Sequence, residues 1–134
     1  MPSVFDWTVR VYYEDTDAGG IVYYANYLKF FERARTEWLR AAGIGQQELL
    51  DQQGAAFVVK HASIDYVAPA RLDDELRLTT TIRKLGRASV QFFQQAWRGE
   101  QLLTTAHVKV GCVDAKTMRP SPLPDEVAAK MHAA

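Results

Sequence analysis

Between Tyr24 and Ala42 the apolar residues recur three and four apart: Tyr24, Tyr27/Leu28, Phe31, Ala34, Trp38 and Ala41/Ala42. That period draws one apolar stripe down a helix. About 19 residues at the helical rise give a rod of roughly 28 Å. No other stretch of the chain keeps a helical period for as long. A lone helix with so large and aromatic a stripe needs a broad apolar surface to lie on. Lys29, Arg33, Glu37 and Arg40 fall mostly off the stripe, and Arg33 and Glu37, four apart, are expected to pair. Gly43 is expected to end the helix in the left-handed conformation.

The remaining segments supply the surface. Five extended stretches are expected: Trp7–Tyr13, Ala56–Tyr66, Glu75–Leu85, Ser89–Arg98 and Gln101–Asp114. Leu76, Leu78, Thr80 and Ile82 alternate with Arg77, Thr79, Thr81 and Arg83, the pattern of a sheet with two unlike faces. Gly86 and Gly99 stand at short connections suited to antiparallel hairpins. Short helices are expected near Gln46–Gln53 and, after Pro120, Pro122 and Pro124, over Asp125–Met131. The order β-α-β-β-β-β describes a two-layer α+β domain with the long helix on one sheet face.

Composition narrows the class. With 134 residues and 48% hydrophobic content, a single domain over residues 1–134 is expected rather than a disordered chain. Sixteen Lys plus Arg balance sixteen Asp plus Glu, which argues against a nucleic-acid surface. The one cysteine, Cys112, has no intrachain partner and sits on the apolar face of its strand, so it reads as a core residue. MPSVFDWTVR lacks the charge and apolar run of a signal peptide, and no segment has the roughly 20 apolar residues of a membrane span. A cytoplasmic location is the expectation. His61, His107 and His132 are not at metal-ligand spacing, so no metal is expected.

Chemistry concentrates in residues 10–27, RVYYEDTDAGGIVYYANY. Glu14, Asp15 and Asp17 precede two glycines and the start of the long helix. A helix start presents unpaired N–H groups able to hold a developing oxyanion. A carboxylate in the preceding loop can attack an acyl carbon or activate water. The alternative is a turn whose acids merely suit the helix dipole. A calcium loop starting at Asp15 fails at its twelfth position, where Asn26 stands in place of a bidentate Glu. No G-x-S-x-G motif is present. Between Leu76 and Gly99 the charges are Arg77, Arg83, Lys84, Arg87 and Arg98, with no acid among them. Arg83, Lys84 and Arg87 gather round Gly86, as a solvated hairpin tip or a phosphate-binding cluster.

The stretch YYEDTDAGGIVYYANY (12–27) resembles the signature of the hotdog-fold acyl-CoA thioesterases of the 4-hydroxybenzoyl-CoA thioesterase group, most closely the YbgC-type enzymes associated with the Tol–Pal system. FFERARTEWLR (30–40) and APARLDDEL (68–76) are similar to the same subgroup, so the likeness spans nearly the whole chain. It implies a five-stranded antiparallel sheet wrapped round the long helix. It implies Asp17 as the catalytic carboxylate, nucleophile or general base, and the Tyr24 backbone N–H as the group polarising the thioester carbonyl. Many YbgC-type relatives carry His where this chain has Tyr24. By the same resemblance Gly20 keeps the approach open, and Glu14 and Asp15 are structural. Arg83, Lys84 and Arg87 would then hold the phosphates of coenzyme A, and Ser89 its pantetheine or thioester. Acyl-CoA is the implied substrate, without a further cofactor, in a homodimer or homotetramer whose sites lie between subunits. Alternatives are a thioesterase acting on acyl carrier protein and a non-catalytic acyl-CoA or partner-binding module. Hotdog dehydratases need a His beside the carboxylate, and none lies in the loop or the long helix.

Overall fold

The computed structural model describes residues 4–134. Strand β1 (Phe5–Arg10) leads through the acidic loop into helix α1 (Tyr27–Ala41), entered by a 3-10 turn over Tyr24–Asn26. Helix α2 (Gln46–Gln53) then precedes β2 (Ala55–Tyr66), β3 (Glu75–Leu85), β4 (Ser89–Arg98) and β5 (Gln101–Asp114), and α3 (Asp125–Ala133) closes the chain. The five strands form one antiparallel sheet in the order β1-β3-β4-β5-β2.

Alternation decides which face meets the helix. Leu76 and Leu78 of β3, and Val90, Phe92 and Ala96 of β4, are buried with Phe30, Phe31, Ala34 and Trp38 of α1. The Trp38 and Phe92 rings meet edge to face at 5.6 Å. One polar residue shares this layer. Gln94, fully buried, donates to Phe31 O and to Thr80 Oγ1 and accepts from Arg35, so helix and sheet are joined by satisfied hydrogen bonds as well as apolar contact. On the opposite face Arg83 stacks over Phe93 at 4.1 Å and Arg77 over Trp97 at 5.6 Å, which shields aromatic residues left without a second layer.

Three sequence expectations need correction. The first strand ends at Arg10, not Tyr13. Val11 still exchanges backbone hydrogen bonds with residues 73 and 74, but the Tyr12 N–H is taken by the Asp15 side chain and the chain turns. The long helix opens as a 3-10 turn and ends at Ala41. Beyond it Gly43 (φ +83°) donates to Arg40 O and Ile44 donates to Leu39 O, the paired bonds of a Schellman stop. Finally, Glu37 pairs with Arg40 at 3.0 Å rather than with Arg33. An acid preceding a base at the helix C-terminus suits the dipole. Among the described residues no helix is long and apolar enough to cross a membrane.

Candidate active site

The acidic loop is pinned along the end of the sheet where β3 begins. Val11 N–H donates to Asp74 O, Ile21 bridges to Arg71, and Val22 N–H donates to Ala70 O at 2.8 Å. Within the loop Thr16 bridges to Val22 and Asp17 N–H donates to Ile21 O at 3.0 Å. The chain therefore returns beside Asp17 just before the helix starts. Arg71 and Asp74 are themselves clamped. Asp74 accepts from Arg71 N–H and from the Arg98 guanidinium, both near 2.8 Å. Burial pushes the Asp74 carboxyl up, but those two donors outweigh it and hold the group below the ordinary carboxylate value.

The three acids have three different surroundings. Asp15 is 5% exposed; its carboxylate accepts from Tyr12 N–H at 2.8 Å and from Asn26 Nδ2 at 3.0 Å. Its carbonyl also accepts from Tyr23 N–H. Asp15 and Asn26 thus rivet the loop to the helix start, the structural part foreseen for Asp15. Asp17 is exposed, and its Oδ1 accepts from Gly19 N–H at 2.8 Å, a bond within its own turn that orients the carboxylate. Glu14 is exposed. Among the described residues no three His, Cys, Asp or Glu side chains are grouped to hold a metal ion.

The glycines serve Asp17 in two ways. A Cβ on Gly19 would lie 3.2 Å from Asp17 Oδ1 and press on the carboxylate. Gly20 has φ +77°, a conformation side chains resist, and nothing lies within 4 Å of where its Cβ would be. The requirement at Gly20 is conformational, and the space in front of it is open.

Tyr24 begins the helical run. The residue is 62% exposed, and no side chain caps the turn. The first helical bond is Asn26 N–H to Tyr23 O at 2.8 Å, so the N–H groups of Tyr24 and Ala25 precede it and have no intrahelical acceptor. Asp17 and Gly20 thus lie at the turn of a short loop hairpin whose returning arm leads through Tyr23, beside Asp15, to Tyr24 at the corner where the helix starts. Two residues at that corner escape a sequence reading. Tyr66, the last residue of β2, donates its hydroxyl to Tyr24 O at 2.8 Å. Tyr27, buried, accepts from Ala70 N–H at 3.3 Å. Tyrosines at strand and helix ends look like core aromatics by period alone; nothing in the spacing marks their hydroxyls.

Arg83, Lys84, Arg87 and Ser89 do not join this corner. Arg10 and Val11 bring the loop to the Glu75 end of β3, whereas Arg83 lies eight residues further along, about 26 Å at the rise of an extended strand. Within one protomer they stand at the far end of β3 from Asp17. Their local bonds are those of a hairpin. Gly86 N–H donates to Ser89 O at 2.8 Å, Leu123 N–H to Arg87 O at 2.9 Å, and Arg83 stacks on Phe93. Arg83, Lys84 and Arg87 remain exposed there. Cys112 is buried, its Sγ 3.9 Å from Pro122 O, and burial pushes its thiol pKa up, away from nucleophile chemistry. A cavity of about 130 Å³ opens between one flank of α1 and β2, lined by Arg35, Leu39, Phe57, Val59 and Phe92 among others.

A five-stranded antiparallel sheet curled on one long helix, with a carboxylate loop at the helix start, defines a hotdog domain of the thioesterase type. The chain belongs to the thioesterase-like superfamily, whose family model matches residues 11–131. It is 52% identical over 132 residues to the acyl-CoA thioesterase YbgC of Haemophilus influenzae, covering 98% of this chain and 97% of that protein. It is 48% identical over 129 residues to the acyl-CoA thioester hydrolase YbgC of an Escherichia coli O6:H1 strain, covering 96% of each. Among solved structures, a probable thioesterase from Bartonella henselae superposes with a TM-score of 0.87 at 38% identity, over 91% of this chain and 100% of that one.

Proposed function

We propose that the chain is an acyl-CoA thioesterase, one catalytic domain over residues 1–134, hydrolysing acyl-CoA to the free acid and CoA-SH. The observation that carries this reading is the division of labour in the loop. Asp15 is consumed by buried hydrogen bonds, while Asp17 is exposed, held by Gly19 N–H, and set before the unpaired N–H groups of the helix start. Acting as a base, Asp17 takes a proton from water as the oxygen adds to the acyl carbon. Tyr24 N–H then holds the resulting oxyanion. Collapse breaks the C–S bond, and the thiolate leaves with the proton. Acting as a nucleophile, Asp17 forms a mixed anhydride that water opens to the same products. No cofactor enters either route.

A homo-oligomer belongs to the same reading. β2 is a 12-residue edge strand with Val59 53% exposed, and an open edge of this length invites pairing. A second copy paired antiparallel along β2 gives a homodimer, and dimers stacked in pairs give a homotetramer. A two-fold axis at that edge reverses strand direction. The hairpin tip of the second copy then comes to the same end of the joined sheet as this copy's acidic loop. That would place a basic cluster like Arg83, Lys84 and Arg87 where the nucleotide arm of CoA emerges. The cavity beside β2 would gain its outer wall in the same step.

The test is thiol release from acyl-CoA and from acyl carrier protein thioesters by wild type and Asp17→Asn. The variant is expected to lose turnover by about 10²- to 10⁴-fold while keeping fold and oligomer. Tight CoA binding without cleavage of any thioester would instead mark a binding module. Faster release from the carrier protein would make that the substrate. Cell fractionation and pull-down with Tol–Pal components test a cytoplasmic place and that association.

A further inference from the structure

The Tyr66 hydroxyl reaches from the end of β2, 42 residues away in sequence, to one particular carbonyl, that of Tyr24. Its ring stands edge-on to Tyr24 at 6.2 Å and against Tyr27 at 5.6 Å, which fixes where the hydroxyl points. Resting on the thioesterase reading above, we propose that Tyr66 is a positioning residue for the hydrolysis. Its O–H to Tyr24 O bond aims the Ala25 N–H so that it joins the Tyr24 N–H on the reacting carbonyl oxygen.

Peptide geometry ties the Tyr24 carbonyl to the Ala25 N–H. A peptide unit is planar, with C=O and N–H pointing in opposite directions. The unit that carries Tyr24 N–H has Tyr23 C=O, which is held by Asn26 N–H at 2.8 Å. The next unit carries Ala25 N–H and has Tyr24 C=O, which Tyr66 holds at 2.8 Å. Consecutive planes are thus each fixed at the carbonyl end, one from inside the helix and one from the sheet. Both N–H groups precede the first helical bond and point out of the helix start. A hydrogen bond accepted at a carbonyl also polarises the N–H of the same unit, strengthening it as a donor. The Tyr66 phenol pKa is raised, first by burial and then by the Tyr24 and Tyr27 rings beside it, so it stays a protonated donor through neutral pH.

The experiment separates this role from a merely structural one. Tyr66→Phe removes the donor and keeps the ring. It is expected to lower kcat about tenfold with KM within twofold of wild type, because the lost interaction matters only as charge develops on oxygen. A ¹³C=O-labelled acyl-CoA bound to Asp17→Asn, where it survives, is expected to show a carbonyl stretch shifted to lower frequency. That shift should shrink in Asp17→Asn/Tyr66→Phe. 3-Fluorotyrosine at position 66, a stronger donor with the same packing, is expected to keep or enlarge the shift, and it serves if the Phe variant fails to fold. A change in KM alone, or a carbonyl stretch indifferent to position 66, overturns the proposal and leaves the thioesterase reading intact. Full hydrolysis by Asp17→Asn overturns that reading instead.

Discussion

The two ends of β3 carry the two most charged parts of the chain, and they are organised in opposite ways. At the Glu75 end the loop is tied down residue by residue. Asp15 and Asn26 are buried in its joint, and Arg98 and Asp74 brace it from beneath. At the Arg83 end the cations stand exposed on a hairpin held through its backbone, by its own turn, by Cys112 N–H on Ala88 O and by the tail at Leu123. Chemistry at a fixed atom needs the first kind of arrangement; holding a phosphate group of a long flexible arm tolerates the second. Charge clustering alone does not distinguish them. The number of buried bonds behind each charge does.

That contrast can be broken in four ways, from the largest effect to the smallest. Asp17→Asn should abolish turnover without lowering the melting temperature, since its carboxylate bonds only within an exposed turn; thiol-release kinetics and thermal unfolding read the two separately. Asp15→Ala should damage both properties, because Tyr12 N–H and Asn26 Nδ2 lose a buried acceptor, at a cost of about 1–3 kcal/mol in denaturant unfolding. At the other end, Arg83→Ala with Lys84→Ala and Arg87→Ala should raise KM for acyl-CoA several-fold and flatten its salt dependence. The same variant should hydrolyse a short thioester lacking the nucleotide as wild type does. Equal loss on both substrates would show that the tip acts through the fold. The mildest probe is acid. Asp74 has a lowered pKa in the folded chain, so its stabilisation is whole above the ordinary carboxylate value of about 3.9 and is lost as pH falls through the lower folded value. The melting-temperature gap between wild type and Asp74→Asn should be open at pH 6 and close below about pH 4.

The sequence revealed more of the fold than of the site. β3, β4, β5 and α2 have the bounds their periods and glycines indicate, because each packs one face on a common core. β1 does not, since an edge strand facing mostly solvent is ended by one side-chain bond from Asp15 rather than by pattern. Within the loop Asp17, Gly20 and Tyr24 were legible as a motif. Spacing alone did not separate Glu14, Asp15 and Asp17, because burial depends on what packs above them; only the family resemblance set Asp17 apart. The distance from Asp17 to Arg83 was hidden for another reason. It is set by which end of β3 pairs with β1, and hydrophobic alternation carries no register.

One consequence follows from where the loop hangs. It follows directly on β1, a six-residue strand at the sheet margin with four exposed residues, paired on one side only. Elements of that kind open at a fraction of the free energy that unfolds the centre, so amide exchange should be fast through β1 and slow through β4. The centre would stay paired while β1 lets go, leaving the loop held only by its bonds to residues 70–74 and by the Asp15–Asn26 joint. On heating, the protein is then expected to fall silent as an enzyme some degrees before it melts, through a reversible detachment that cooling repairs.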